Sequence, residues 1–180
     1  SSQMGIRRRG LAKTKYLKNR LLPYIISKLV SLLKDHPKFT AFFKDDCICY
    51  YNETNIGLAI NIEKGLKVVV MRDLEDKSML EIYEKILNCI ENYYEDTLNS
   101  DDLIGSTITI SDLSDDNILF FQPMLNINQS VVLGIGGDAT TPNHLMSITA
   151  VFDHRVLSGK EVADFLNDLK HEIVTGLVAI

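Results

Sequence analysis

Three stretches of this chain repeat apolar residues at the spacing of one helix face, and runs of β-branched residues separate them. That alternation limits the possible folds more than any other feature. LLPYIISKLVSLLKDHP puts Leu22, Ile25, Ile26, Leu29, Leu32 and Leu33 on one face, and Pro37 follows its end. Ser78 with Glu81 forms a capping box, and Met79, Ile82, Ile86 and Ile90 continue a second apolar face. Ser158 with Glu161 forms another box. It opens a helix whose inner face is Val162, Phe165, Leu166, Leu169 and Ile173, with Lys160, Glu161 and Asp164 toward water. Between these helices CICYY, IGLAINI, LKVVVMR, STITIS, SVVLGIGG and MSITAVF read as strands, with turns at YNETN and EKG. Helix, strands, helix, strands, helix predicts an α/β fold: a two-layer sandwich of mixed β-sheet with helices packed on it.

With 180 residues, 46% of them hydrophobic, the chain can bury one real core. No apolar run approaches the roughly 20 residues that cross a bilayer, so no membrane partner is expected. SSQMGIRRRG is charged but lacks an apolar run after it, unlike a secretory signal. Cys47, Cys49 and Cys89 form an odd set without CxxC spacing, which predicts reduced, half-buried thiols and a cytoplasmic location. Cys47 and Cys49 share one face of their strand. No second His or Cys stands at metal-ligand spacing, so no metal is expected. GIGG, residues 134–137, follows a strand without the helix that a phosphate loop needs.

The net charge of −5 conceals an asymmetry. Nine of the 19 Lys and Arg lie at or before Lys34, where none of the 24 acids occurs. Residues 1–20 read as a basic arm, and residues 21–180 as the domain that carries the core. The acidic body would repel a phosphate backbone, and no aromatics interleave with the arginines, which argues against nucleic acid. The expected partner of the arm is an acidic protein surface, on its own or a neighbouring subunit.

One histidine stands apart. In VFDHRVLSGKEV, His154 falls between a strand and a capped helix. A lone strand-end histidine is commonly structural, although imidazole titrates where acid–base chemistry is useful. His36, His144 and His171 have weaker contexts.

DHRVLSG resembles the DHRxxDG signature of the catalytic domain of dihydrolipoyl acyltransferases, the cores of 2-oxo acid dehydrogenase complexes. It is similar also to the HxxxDG signature of chloramphenicol acetyltransferase and condensation domains. Further stretches agree in order. GIRRRGLAK resembles the family's GIRRxIAK, and GSTITISDLS its GGTFTISNLG. The segment from Asn55 resembles its strand, GL turn and second strand ending in Arg-Asp. FFQPMLNINQSVVLGIG resembles its strand-leading stretch before LG.

The resemblance implies a chloramphenicol-acetyltransferase-like fold that forms a homotrimer, with the site in a channel between subunits. One subunit supplies His154 and its neighbour Ser111. Acyl transfer from a thioester needs a base for the attacking group, which an imidazole can be. It also needs a donor to the tetrahedral oxyanion, which a serine hydroxyl can be. Asp153, Arg7, Arg8 and the residue four after the histidine are implied as site-organising. That last residue is normally Asp, sometimes Asn, and here it is Ser158, which cannot form an ion pair with Arg7 or Arg8 but can still cap its helix. No tightly bound cofactor is implied. The implied substrates are thioesters of coenzyme A, lipoyl or phosphopantetheine, and an acyl or lipoyl carrier protein is a further expected partner.

Other departures are a helix that follows Tyr16 almost at once, where the family has a few dozen more residues, and a short link between GIGG and MSITAVF. No lipoyl domain or Pro/Ala-rich linker is expected before the core. The first expectation is thus a stand-alone trimeric acyltransferase. The alternatives are an inactive trimeric scaffold, or a channel repurposed for a carrier-bound substrate.

Overall fold

The computed structural model describes residues 21–138, 140 and 145–178. The basic arm with Arg7 and Arg8, Tyr16 and His144 lie outside the described residues. In chain order the elements are α1 (Leu21–Leu33), β1 (Ala41–Lys44), β2 (Cys47–Tyr50), β3 (Ile56–Ile62), β4 (Gly65–Met71), α2 (Met79–Tyr94), β5 (Ile108–Asp112), β6 (Val131–Asp138), β7 (Leu145–Phe152) and α3 (Gly159–Val178). Strands β4-β3-β5-β6-β7 form one mixed sheet in that order. The pairs β3–β5 and β5–β6 are parallel, and β6–β7 is antiparallel.

One face of this sheet carries the core. Successive strand residues point to opposite faces, and Leu58, Ile60, Ile108, Ile110, Leu133 and Ile135 are the buried set on the helix side. Against them pack Ile26 and Leu29 of α1, Ile82 and Ile86 of α2, and Phe165 and Leu169 of α3. The three helical stripes therefore meet one sheet face, as their periodicity predicts. Both capping boxes form. Glu81 N–H donates to Ser78 Oγ at 3.3 Å, and Ser78 N–H donates to the Glu81 carboxylate at 2.8 Å.

Among the described residues, part of the other face is covered by main chain rather than by helices. The segment 118–123 runs over β6 and β7. Ser147 Oγ donates to the Leu119 carbonyl, and Thr149 Oγ1 to the Phe121 carbonyl at 3.1 Å. A Cβ at Gly136 would overlap the Leu119 carbonyl, so GIGG serves this close approach. Phe120, Met124 and Ile127 then project outward, 71%, 87% and 92% exposed.

The structure corrects several sequence expectations. Met79 is 51% exposed because it is the first residue of α2, before the helix meets the sheet. Cys47 is exposed rather than half-buried, since its strand belongs to a separate two-stranded hairpin. The partner strand β1, AFFK, lacks the alternation that marks a half-buried strand. It joins β2 through Asp45 and Asp46, both with positive φ (50° and 59°), the geometry of a tight hairpin turn. Glu161 does not simply face water, because Lys38 Nζ reaches it at 2.7 Å.

Candidate active site

His154 is held on a pinned turn. β7 ends at Phe152, and the next N–H, that of Asp153, donates to the Ser130 carbonyl at 2.8 Å. The Asp153 carbonyl then accepts from Val156 and Leu157 N–H, each at 3.0 Å. Val156 and Leu157 are buried, 4% and 1% exposed, and fasten the turn to the core. The imidazole itself is exposed, with its ring centroid 4.5 Å from that of Phe152.

Asp153 and Arg155 brace the same turn. Arg155 Nε and Nη2 donate to the two Asp153 carboxylate oxygens, and the guanidinium lies 4.7 Å from the Phe43 ring centroid. The Arg155 hydrogen bond holds the Asp153 carboxyl below the usual carboxylate range. Partial burial opposes this, and the Arg155 and His154 charges assist it. A carboxylate ionised and occupied in this way braces the backbone at His154 rather than accepting protons.

Ser158 is the N-cap of α3, as its sequence pattern predicts. Its Oγ accepts from Glu161 N–H at 3.2 Å, and its own N–H donates to Glu161 Oε2 at 2.8 Å. The Lys38 bond first, and then the Ser158 bonds, lower the Glu161 pKa to about 2. Ser158→Ala should therefore cost about 0.5–2 kcal/mol, the usual loss of a cap, seen as a lower thermal midpoint. Ser158→Asp should preserve that midpoint, because Asp caps as well and suits the positive helix end.

Ser111 lies far from this turn within one chain. It shares the face of Thr109, away from the helices, level with Ala59 of β3 and Gly134 of β6. Gly134 in turn pairs with Thr149 of β7, five residues before His154. That register separates Ser111 from His154 by on the order of 15 Å along the strands and about 10 Å across them. The structure thus brings together His154, Asp153 and Ser158, and leaves Ser111 apart. Lys38 and Ser130, which also grip the turn, had no local sequence signal. Among the described residues no group of His, Cys, Asp and Glu could hold a metal ion, and no helix is long and apolar enough to cross a membrane.

A mixed sheet with helices on one face and a histidine turn after its edge strand defines the chloramphenicol-acetyltransferase fold. A chloramphenicol acetyltransferase superposes with a TM-score of 0.57 at 15% identity, covering 84% of this chain and 77% of that one. More narrowly, the chain belongs to the 2-oxoacid dehydrogenase acyltransferase family, whose catalytic-domain model matches residues 5–177. The dihydrolipoyllysine-residue succinyltransferase of the Buchnera aphidicola 2-oxoglutarate dehydrogenase complex is 32% identical over 163 residues, 86% of this chain and 40% of that protein. The acetyltransferase of the Bacillus subtilis acetoin cleaving system is 28% identical, covering 88% of this chain and 42% of that one. The chain thus spans about two fifths of these relatives. Among solved structures, a dihydrolipoamide acetyltransferase of Azotobacter vinelandii matches with a TM-score of 0.78 at 24% identity, covering 92% of this chain and 74% of that one. That enzyme's catalytic mechanism has been probed at one serine, one histidine and an asparagine four residues after it.

Proposed function

We propose that this domain transfers an acyl group between a thioester and an acceptor thiol, with His154 as general base and Ser111 of a neighbouring copy as oxyanion donor. The observation that carries this reading is the His154 turn: its backbone is pinned on every side, while its imidazole stands in the open. The imidazole takes the proton of the attacking thiol as sulfur bonds to the thioester carbonyl carbon. The Ser111 hydroxyl donates to the resulting oxyanion. Collapse breaks the bond to the departing sulfur, which takes the proton back from the imidazolium. Asp153 keeps the turn in place, and no enzyme-bound acyl intermediate is needed.

The distance between Ser111 and His154 within one chain supports a site shared between copies, and a trimer is the proposed assembly. Phe120, Met124 and Ile127, exposed on the Ser111 side of the sheet, supply apolar surface for a neighbour to cover. The relatives' names support a lipoyl thioester as acyl donor or acceptor, and coenzyme A is the proposed group on the other side of the exchange. A carrier protein would deliver the lipoyl group. A second reading, a trimeric scaffold without turnover, is favoured by Ser158 alone, which stands four residues after the histidine where the Azotobacter enzyme has asparagine.

Hybrid assemblies test the shared site. Ser111→Ala and His154→Ala chains, each inactive alone, should regain activity when refolded together. Random mixing places an intact His and an intact Ser at about a quarter of shared sites. Free-thiol release from acyl-coenzyme A is the readout, with light scattering to check for a trimer. Mixtures as inactive as their parents, or an active monomer, would remove the shared-site reading.

A further inference from the structure

We infer that Lys38 is a positioning residue for His154, gripping the histidine turn from both ends at once. The inference rests on the reading of His154 as the base and adds the residue that aims it.

Lys38 lies in the short turn Pro37–Thr40 after α1, more than a hundred residues before His154. Its main chain holds the front of the histidine turn. The Lys38 carbonyl accepts from Ser130 Oγ at 2.7 Å, and the Ser130 carbonyl accepts from Asp153 N–H at 2.8 Å. Ser130 is fully buried, so this link runs through the interior. The Lys38 side chain holds the back of the turn. Its ammonium donates to Glu161 Oε1 at 2.7 Å, while Glu161 Oε2 accepts from Ser158 N–H at 2.8 Å. Asp153 and Ser158 bound the turn that carries His154, and a single lysine is linked to the first through Ser130 and to the second through Glu161.

Ser158 has no charge, so the only carboxylate in this capping box belongs to Glu161. Lys38 therefore supplies the cation for the box. A lone pair between half-exposed side chains would contribute little to overall stability. Its effect here is local, because the bonds it joins fix where the imidazole points. Small displacements of a catalytic group are costly in rate even when the fold survives. Lys38 should thus matter more for turnover than for folding.

Hydrogen exchange and kinetics on the assembled protein test this together. Lys38→Met keeps the aliphatic stem and removes the ammonium. It should speed exchange at the Val156 and Leu157 amides about tenfold and leave the core amide of Ile110 unchanged. It should lower kcat for thiol release about tenfold with KM within about twofold, the pattern of a misaimed base. Lys38→Arg should restore both. Glu161→Gln keeps the capping box and loses its charge. It should match Lys38→Met, and the double variant should be no worse than either, because the same link is already broken. Unchanged exchange in Lys38→Met would overturn the inference, as would kcat losses that multiply in the double variant. Turnover that survives His154→Ala, while Lys38→Met still loosens the turn, would remove the base assignment and leave the anchoring intact.

Discussion

His154→Ala is expected to lower thioester turnover about 100-fold or more, the scale of one general base. The imidazole is exposed, and the buried residues of its turn are Val156 and Leu157, so the fold should tolerate its removal. Thermal stability should stay close to wild type, and the loss should fall on kcat. Thiol release from acyl-coenzyme A and from an acylated carrier measures it. Activity retained in His154→Ala would sink the catalytic assignment, whatever Ser158 and Lys38 do.

Phe165→Ala should have the largest effect on stability, about 3–5 kcal/mol for a large aromatic removed from a packed interior. Phe165 is fully buried, stacks on Phe39 at 3.9 Å between ring centroids, and meets the edge of His36 at 5.1 Å. Nothing nearby can collapse into that space without disturbing α1 and the turn after it. In a chain of this size the loss amounts to a fall in Tm on the order of 10 °C. Calorimetry at fixed protein concentration checks it, since assembly itself shifts Tm. An unchanged Tm would mean that α3 presents another face to the sheet.

Periodicity made the helices legible, because each stripe packs on a single sheet face and one spacing rule governs it. The caps at Ser78 and Ser158 were legible for a similar reason: their partners lie three residues away. The hairpin strand β1 was not, since AFFK lacks alternation and its turn rests on two aspartates in left-handed conformation. Lys38 was hidden by distance along the chain. Its contact with Glu161 spans 123 positions and follows from how the turn after α1 meets α3. His154 and Ser111 could be named by resemblance, but their separation is a matter of strand register, which local sequence does not display. The family assignment rests on motifs spread along the chain, and the match over residues 5–177 bears it out.

α1 and α3 are clasped near the two ends of the described residues. Tyr24, near the start of α1, donates from its hydroxyl to the Ile173 carbonyl at 3.1 Å, and that hydroxyl sits where a side chain at Gly176 would have to go. Lys28, one turn later, meets Glu172 at 3.4 Å. The two helices therefore run antiparallel, and Leu21 lies beside the end of α3. The chain thus enters α1 and leaves α3 on one side of the domain. A break at Tyr24 would let the start of α1 and the end of α3 fray as one unit.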